Sequence, residues 1–316
     1  MLPNCTDDKP PVQVNISLSL INILDVDERV QILKSSMWVR WHWKDCRLQW
    51  DPKQYDDVTV IHLGRERVWI PDITLYDSAS VMDFLDVIQY QRPVIKYTGH
   101  LVFGFPSIIS STCYINILNF PYDLQRCRLK FSSWSYDNKF LDVSNSSPTG
   151  DLSAYVANNE WSLEGFTVER SSVNYTTSSF PDVTFFVEIR RHPLHIYINL
   201  LLPCIVISLI GVFMFLLPPE SGERISLGIT SLLSMVVFSM NIASSLPATN
   251  ATVPHITKYF SCSIILVACS AVCTILIMRL HHTSDSIRLP RWVKRVIIEC
   301  IGSVILLGQS CQYQKV

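Results

Sequence analysis

Hydrophobic and polar residues follow two regimes along this chain, and the change falls near Pro193. Before it, apolar and polar positions alternate. The stretch 12–24 contains Val-Gln-Val-Asn-Ile-Ser-Leu-Ser-Leu, a period of two that suits a strand with one buried face. Similar stretches lie at 58–63, 113–118, 128–131 and 183–189. Turn-forming clusters punctuate them at Asp51-Pro52, Asp56-Asp57, 119–123 and Asp137-Asn138. Many short strands at this spacing predict an antiparallel, immunoglobulin-like sandwich. After Pro193 the pattern is different. The runs 196–217, 225–246 and 259–278 contain no Asp, Glu, Lys or Arg. Each holds roughly 20 residues, which at about 1.5 Å per residue reaches the ~30 Å of a bilayer core. One such run also fits a buried helix of a large soluble protein; three in succession predict membrane spans.

Basic residues set the orientation. Arg279, Arg288, Arg291, Lys294 and Arg295 follow the third run, so that end reads as cytoplasmic and the N-terminal half as extracellular. The sequons at Asn4, Asn15, Asn145, Asn174 and Asn250 all fall on the predicted outside. The opening Met1-Leu-Pro-Asn-Cys lacks the features of a signal peptide, and nothing after Met278 is long and apolar enough for a fourth span. The stretch 296–308 is apolar but short and holds Glu299, so it predicts an amphipathic helix on the inner membrane surface. The expectation is a chain incomplete at both ends, divided into an extracellular domain at 1–192, three spans within 193–282, and the start of a cytoplasmic segment at 283–316.

The formal charge of −1 gives no general attraction to nucleic acid. No catalytic constellation stands out. His100, His281 and His282 lack metal-ligand companions, Ser221-Gly-Glu is no nucleophile motif, and no phosphate-binding glycine loop is present. No enzyme activity, cofactor or metal is expected. Of ten cysteines, Cys204, Cys262, Cys269 and Cys273 lie in the spans and act as small apolar residues, while Cys300 and Cys311 fall on the reducing side. That leaves Cys5, Cys46, Cys113 and Cys127 outside. The turn-forming segment between Cys113 and Cys127 can bring those two within disulfide reach.

The pair Cys113 and Cys127, enclosing Phe120-Pro-Tyr-Asp, resembles the signature of the Cys-loop receptors. The resemblance continues through Trp38-Val-Arg, Trp43-Lys-Asp, Leu48-Gln-Trp, Trp69-Ile-Pro-Asp-Ile-Thr-Leu-Tyr, Trp134-Ser-Tyr-Asp, Pro203-Cys and Ser221-Gly-Glu-Arg. It is strongest to the nicotinic acetylcholine receptors, and it implies a Cys113–Cys127 disulfide and a subunit of a homo- or hetero-pentamer in the plasma membrane. It also implies an agonist site between subunits, built from aromatic rings that attract a small amine such as acetylcholine by cation–π contact. Carried over motif by motif, the principal face is Tyr76, Trp134, Tyr175 and Phe180. Trp38 belongs to the complementary face, with Phe103 as a further candidate; Trp43, Trp50 and Trp69 read as framework. One departure concerns the ligand: nicotinic α subunits carry adjacent cysteines in the binding hairpin, whereas this chain reads Asn174-Tyr-Thr-Thr-Ser-Ser-Phe-Pro-Asp.

In the second run Ser226, Thr230, Leu233, Val237, Asn241 and Ser244 recur at intervals of three and four and so share one helical face. Hydroxyls on one stripe suit either a water-lined surface or helix–helix hydrogen bonding. The resemblance implies the former: a pore with apolar constrictions at Leu233 and Val237 and a carboxylate ring from Glu223 that favours cations. It also implies a coupling path through Lys130 and Asp182 near the agonist, then Glu28, Phe120, Pro121, Arg191 and Pro254 at the membrane junction. A Glu28–Arg191 ion pair is expected. The function implied is an amine-gated cation channel subunit. The alternatives are a non-conducting accessory subunit, a channel with a different amine agonist, and a soluble binding module, which the spans oppose.

Overall fold

A computed structural model of the chain describes residues 2–3, 11–80, 85–176, 178–218, 222–247 and 253–281. Asn4, Asn250 and the whole of 283–316, with its expected amphipathic helix, lie outside them.

Among the described residues ten strands form in chain order: β1 (Val12–Asp27), β2 (Ile32–Gln49), β3 (Val60–His62), β4 (Ile73–Leu75), β5 (Val94–Lys96), β6 (Thr98–Thr112), β7 (Leu124–Ser133), β8 (Leu141–Asn145), β9 (Trp161–Asn174) and β10 (Ser179–Arg191). They make a six-stranded sheet in the order β3-β5-β6-β2-β1-β8 and a four-stranded sheet in the order β4-β7-β10-β9. All pairings are antiparallel except β1 with β8. Period-two alternation decides which side chains meet between the sheets. From β2 come Leu33, Met37, Val39, Trp41 and Trp43; from β6, Leu101, Phe103 and Phe105; from β7 and β10, Leu129, Phe131, Val183, Phe185 and Val187, all buried. Edge-on rings knit this core, with Phe131 against Phe185 at 5.9 Å and Trp41 against Phe105 at 5.4 Å.

The stretch 113–118 alternates in burial as expected of a strand but joins no ladder. The Gln125 side chain takes the place of a neighbouring strand: its Oε1 accepts from the Asn116 amide at 2.9 Å, and its amide donates to the Asn116 carbonyl at 3.0 Å. The backbone is thus satisfied without a second strand. The Cys113–Cys127 disulfide closes the loop, with Cα atoms 5.0 Å apart and both cysteines buried. Cys46 is disulfide-bonded as well.

Among the described residues, three helices are long and apolar enough to cross a membrane: Leu194–Leu216, Glu223–Ser245 and His255–Arg279, of 23, 23 and 25 residues. Within the first, Tyr197–Leu201 winds as a π-helical turn just before Pro203, whose missing N–H removes one rung of the regular ladder. Pro218 follows the end of that helix. Gly222 precedes the second at φ +67°, a conformation open to glycine. Packing divides the chain into two compact units, Met1–Val206 with Met235–Cys262, and Ile207–Ser234 with Ser263–Val316. The first holds both sheets together with segments of all three helices.

Candidate functional site: an aromatic cleft, a buried ion cluster and a polar helix face

A cleft of ≈ 380 Å³ opens on the four-stranded sheet, lined by Tyr76, Lys130, Trp134, Val173, Tyr175, Phe180 and Asp182, with Ser132 at its floor. The four aromatic residues arrive from three chain segments. Tyr76 follows β4, Trp134 follows β7, and Tyr175 and Phe180 flank the turn between β9 and β10. The rings meet in two pairs: Tyr76 and Trp134 are tilted at 5.7 Å, and Tyr175 and Phe180 lie edge to face at 5.8 Å. Trp134 is nevertheless 69% exposed. Asp72 fixes the turn that carries it, accepting from the Ser133 hydroxyl at 2.6 Å and the Ser135 amide at 2.7 Å. The Tyr76 hydroxyl donates to the Ser133 carbonyl at 3.1 Å, and burial raises its pKa, so the phenol stays neutral and its ring uncharged. Asp72 lies in the quoted Trp69 motif, but nothing local in the sequence identifies it as the anchor of Trp134.

Lys130 and Asp182 meet across β7 and β10 at 3.1 Å, with Asp182 almost wholly buried. The other Asp182 oxygen accepts from Ser171 at 2.7 Å and Thr184 at 3.2 Å. The contact with lysine is an ion pair without the direction of a good hydrogen bond, since that carboxylate oxygen has no hydrogen-bond partner. The ammonium also stands 5.9 Å from the centre of the Tyr76 ring. The expected trio of Lys130, Tyr175 and Asp182 therefore shares one cleft.

Trp38 is on the opposite sheet, 42% exposed on the outer face of β2, with the Arg40 guanidinium 5.6 Å from its ring. Phe103 does not join it. Expected as a partner on a nearby strand edge, Phe103 is fully buried, and β6 runs inside the sheet between β5 and β2. The reason is parity: Leu101, Phe103 and Phe105 point into the core, so the outward positions are Val102, Gly104 and Pro106. Pro106 pairs directly with Trp38, and Gly104 with Arg40. These outward residues share the face of Trp38, and the apolar alternation Leu101-Val-Phe-Gly-Phe was the signal that separates them from Phe103.

A second cluster sits at the end of β10. Arg191 bonds to Glu28 at 2.7 Å and to Asp123 at 3.0 Å, and its guanidinium lies 4.2 Å from the Trp161 ring and 5.0 Å from Phe120. Two carboxylates and two aromatic faces thus surround one buried cation. Asp123 closes the Phe120-Pro-Tyr-Asp motif, but nothing local in the sequence identifies it as a partner of Arg191. The same neighbourhood holds a cavity of ≈ 300 Å³ bounded by Glu28, Phe120, Arg191, His195, Asn241 and Leu246. Pro121 and Phe120 border another with His255 and Ile256. Pro254 is buried beside them in sequence, and the Leu118 carbonyl accepts from the His255 amide at 3.1 Å.

Along the second helix, Ser226, Thr230, Leu233, Val237, Asn241 and Ser244 are all exposed, whereas Gly228, Ser231, Met235 and Ile242 are buried. Two of these hydroxyls donate into their own helix: Thr230 to the Ser226 carbonyl at 3.0 Å, Ser244 to the Asn241 carbonyl at 2.7 Å. Their oxygen lone pairs are left facing outward, an acceptor surface. Glu223 is exposed in the first turn, and the adjacent Arg224 is buried, donating to the Phe215 carbonyl at 3.3 Å.

Asn15, Asn145 and Asn174 lie at or within strands β1, β8 and β9. Asn15 and Asn145 are half-buried, and Asn174 is exposed.

Comparison with known proteins finds two family matches. Residues 1–193 match the neurotransmitter-gated ion-channel ligand binding domain, and residues 200–314 match the neurotransmitter-gated ion-channel transmembrane region. Among curated relatives, the neuronal acetylcholine receptor subunit alpha-9 of Gallus gallus is 36% identical over 311 residues, covering 96% of this chain and 64% of the relative. The alpha-9 subunit of Homo sapiens is 35% identical over the same span, with the same coverage. The alpha-2 subunit of Rattus norvegicus is 36% identical over 311 residues, 98% of this chain and 60% of the relative. The chain therefore spans somewhat under two thirds of the length of these relatives.

Proposed function

The chain belongs to the neurotransmitter-gated ion-channel family, and we propose that it is a subunit of a pentameric, cation-selective channel opened by acetylcholine or a related small amine. In this reading residues 1–192 are extracellular and bind the agonist. Residues 193–282 cross the plasma membrane, and 283–316 begin the cytoplasmic segment.

The observation that supports cation selectivity is the unlike burial of two neighbours, Glu223 exposed and Arg224 buried. Copies of the second helix around an axis then present a ring of carboxylates with the arginines withdrawn from it. A fixed negative ring attracts cations and repels anions. Above it, the outward hydroxyl oxygens at Ser226 and Thr230 replace part of a cation's hydration, and Leu233 and Val237 supply an apolar constriction that empties of water when narrow.

Gating begins at the cleft. Tyr76, Trp134, Tyr175 and Phe180 form the principal face, and Trp38 of a neighbouring subunit forms the complementary one. Each well-placed ring contributes about 0.5–2 kcal/mol to holding an ammonium. Closure of the β9–β10 hairpin over the agonist bears on Asp182 and its lysine, and β10 continues without interruption to Arg191. That single strand links agonist to junction, where Glu28, Asp123, Phe120, Pro121 and Pro254 meet the helices. Agonist shifts the closed–open equilibrium because it binds the open arrangement more tightly. The hairpin without adjacent cysteines supports keeping related amines beside acetylcholine as agonists.

Voltage-clamp recording in cells that express the chain, alone and beside a nicotinic partner subunit, tests this. Acetylcholine is expected to evoke current that reverses with the cation gradient, and Glu223→Gln to weaken cation preference. Current that reverses at the chloride potential overturns the selectivity; silence in every combination, with the chain at the cell surface, favours a non-conducting accessory subunit.

A further inference from the structure

An acceptor sequence for N-linked glycosylation runs through the hairpin that borders the cleft. Asn174 is the last residue of β9, exposed, and pairs with Ser179 across the hairpin. It opens the acceptor sequence Asn174-Tyr175-Thr176. Its neighbours fix the direction in which it points. Ser171 donates into the cleft to Asp182, and Val173 and Tyr175 line the cleft. Successive side chains of a strand leave opposite faces, so Asn174 leaves the face turned away from the aromatic rings.

We infer that Asn174 carries an N-linked oligosaccharide on the outer face of the β9–β10 hairpin, which restricts the cleft by ligand size while leaving it open to small amines. In the transfer, the Asn174 side-chain nitrogen forms a bond to C1 of the first sugar of a lipid-pyrophosphate-linked oligosaccharide. The C1–oxygen bond to the pyrophosphate breaks, lipid pyrophosphate departs, and one amide proton is lost. The sugar is bulky and solvated, and its root lies one residue from Tyr175. A small cation that enters beneath the hairpin does not cross it. A ligand large enough to grip the hairpin from outside meets it directly. The inference rests on the extracellular placement of residues 1–192.

The test uses the full chain expressed in glycosylating animal cells. Mass analysis of the peptide spanning residue 174 is expected to find a glycan in the parent and in Thr176→Ser, and none in Asn174→Gln or Thr176→Ala. An unmodified Asn174 overturns the site. If Asn15 and Asn145 are unmodified too, the extracellular reading falls with it; if they are modified, only the Asn174 inference does. Access is read separately, without any agonist, on a Val173→Cys background. Removing the glycan by Thr176→Ala is expected to speed labelling by a dextran-linked maleimide roughly tenfold or more, and to change labelling by a small cationic methanethiosulfonate less than about twofold. Equal changes for both reagents, or none for the large one, overturn the size restriction.

Discussion

At one site this chain leaves Trp134 and Tyr175 69% and 62% exposed; at the other it buries the side chains of Arg191 and Asp123 to 9% and 2%. Large rings ordinarily seek the core and charges the surface, so both sites run against the general trend, in opposite directions. The rings of the cleft are held in place by backbone and side-chain anchors such as Asp72, not by burial, and their faces stay free for a cation. The charges at the junction are held by one another. Arg191 is satisfied by two carboxylates and two ring faces, which makes its burial tolerable but leaves each partner dependent on the rest. In the proposed function, a binding surface and a mechanical joint therefore call for contrary exposures from the same sheet.

Breaking the joint is expected to have the largest effect. Arg191→Ala strands Asp123 without its cation, and chemical denaturation of the detergent-solubilised chain is expected to show a loss of about 3–5 kcal/mol. A change under about 1 kcal/mol would mean that the cluster does not support the fold. Arg191→Lys should recover only part, since one ammonium does not reproduce a forked donor.

A loss of similar size is expected for Phe103→Ala, about 3–5 kcal/mol by cavity formation, whereas Trp38→Ala should stay within about 0.5 kcal/mol. Equal effects in the same denaturation assay would undo the assignment of one ring to the core and the other to a surface face. Trp134→Ala sharpens the contrast at the cleft. Calorimetric titration with a quaternary amine is expected to lose about 0.5–2 kcal/mol of affinity, with stability changed by no more than about 0.5 kcal/mol.

The smallest effect is a pH dependence on the outer face of the large sheet. Burial first, and then the charges of Arg40 and Lys96, lower the pKa of His42 below its ordinary 6.5. The unfolded chain then takes up this proton at higher pH than the folded one, so stability is held above pH 6.5 and lost as pH falls below it. His42→Gln is expected to flatten the melting temperature between pH 7 and pH 5. An unchanged slope would assign the acid sensitivity to other groups.

Much of this was legible in the chain itself. Three uncharged apolar runs sufficed for the helices, because length and absence of charge are local properties. The aromatic set of the cleft could be read because each member sits in a distinctive motif, and the Glu28–Arg191 pair because opposite charges fell on segments expected at one junction. The two failures have different causes. Phe103 reads as outward only if its strand is an edge, whereas β6 lies inside the sheet and the parity of Phe103 with Leu101 and Phe105 points inward. The stretch 113–118 alternates like a strand yet pairs with none, because alternation reports burial, not the presence of a neighbour to bond with.

The sequence by itself determined the sandwich, the spans, the polar helix stripe and the chemistry of the rings, since these follow from periodicity and residue type. Only the tertiary structure decided that Arg191 has two carboxylate partners, that Asp72 anchors Trp134, that Gln125 stands in for a strand and that Arg224 is buried beside an exposed Glu223. Each of these joins residues or directions that no local pattern encodes. Hydrogen bonds and ion pairs depend on positions in space, and those are fixed only when the whole chain has folded.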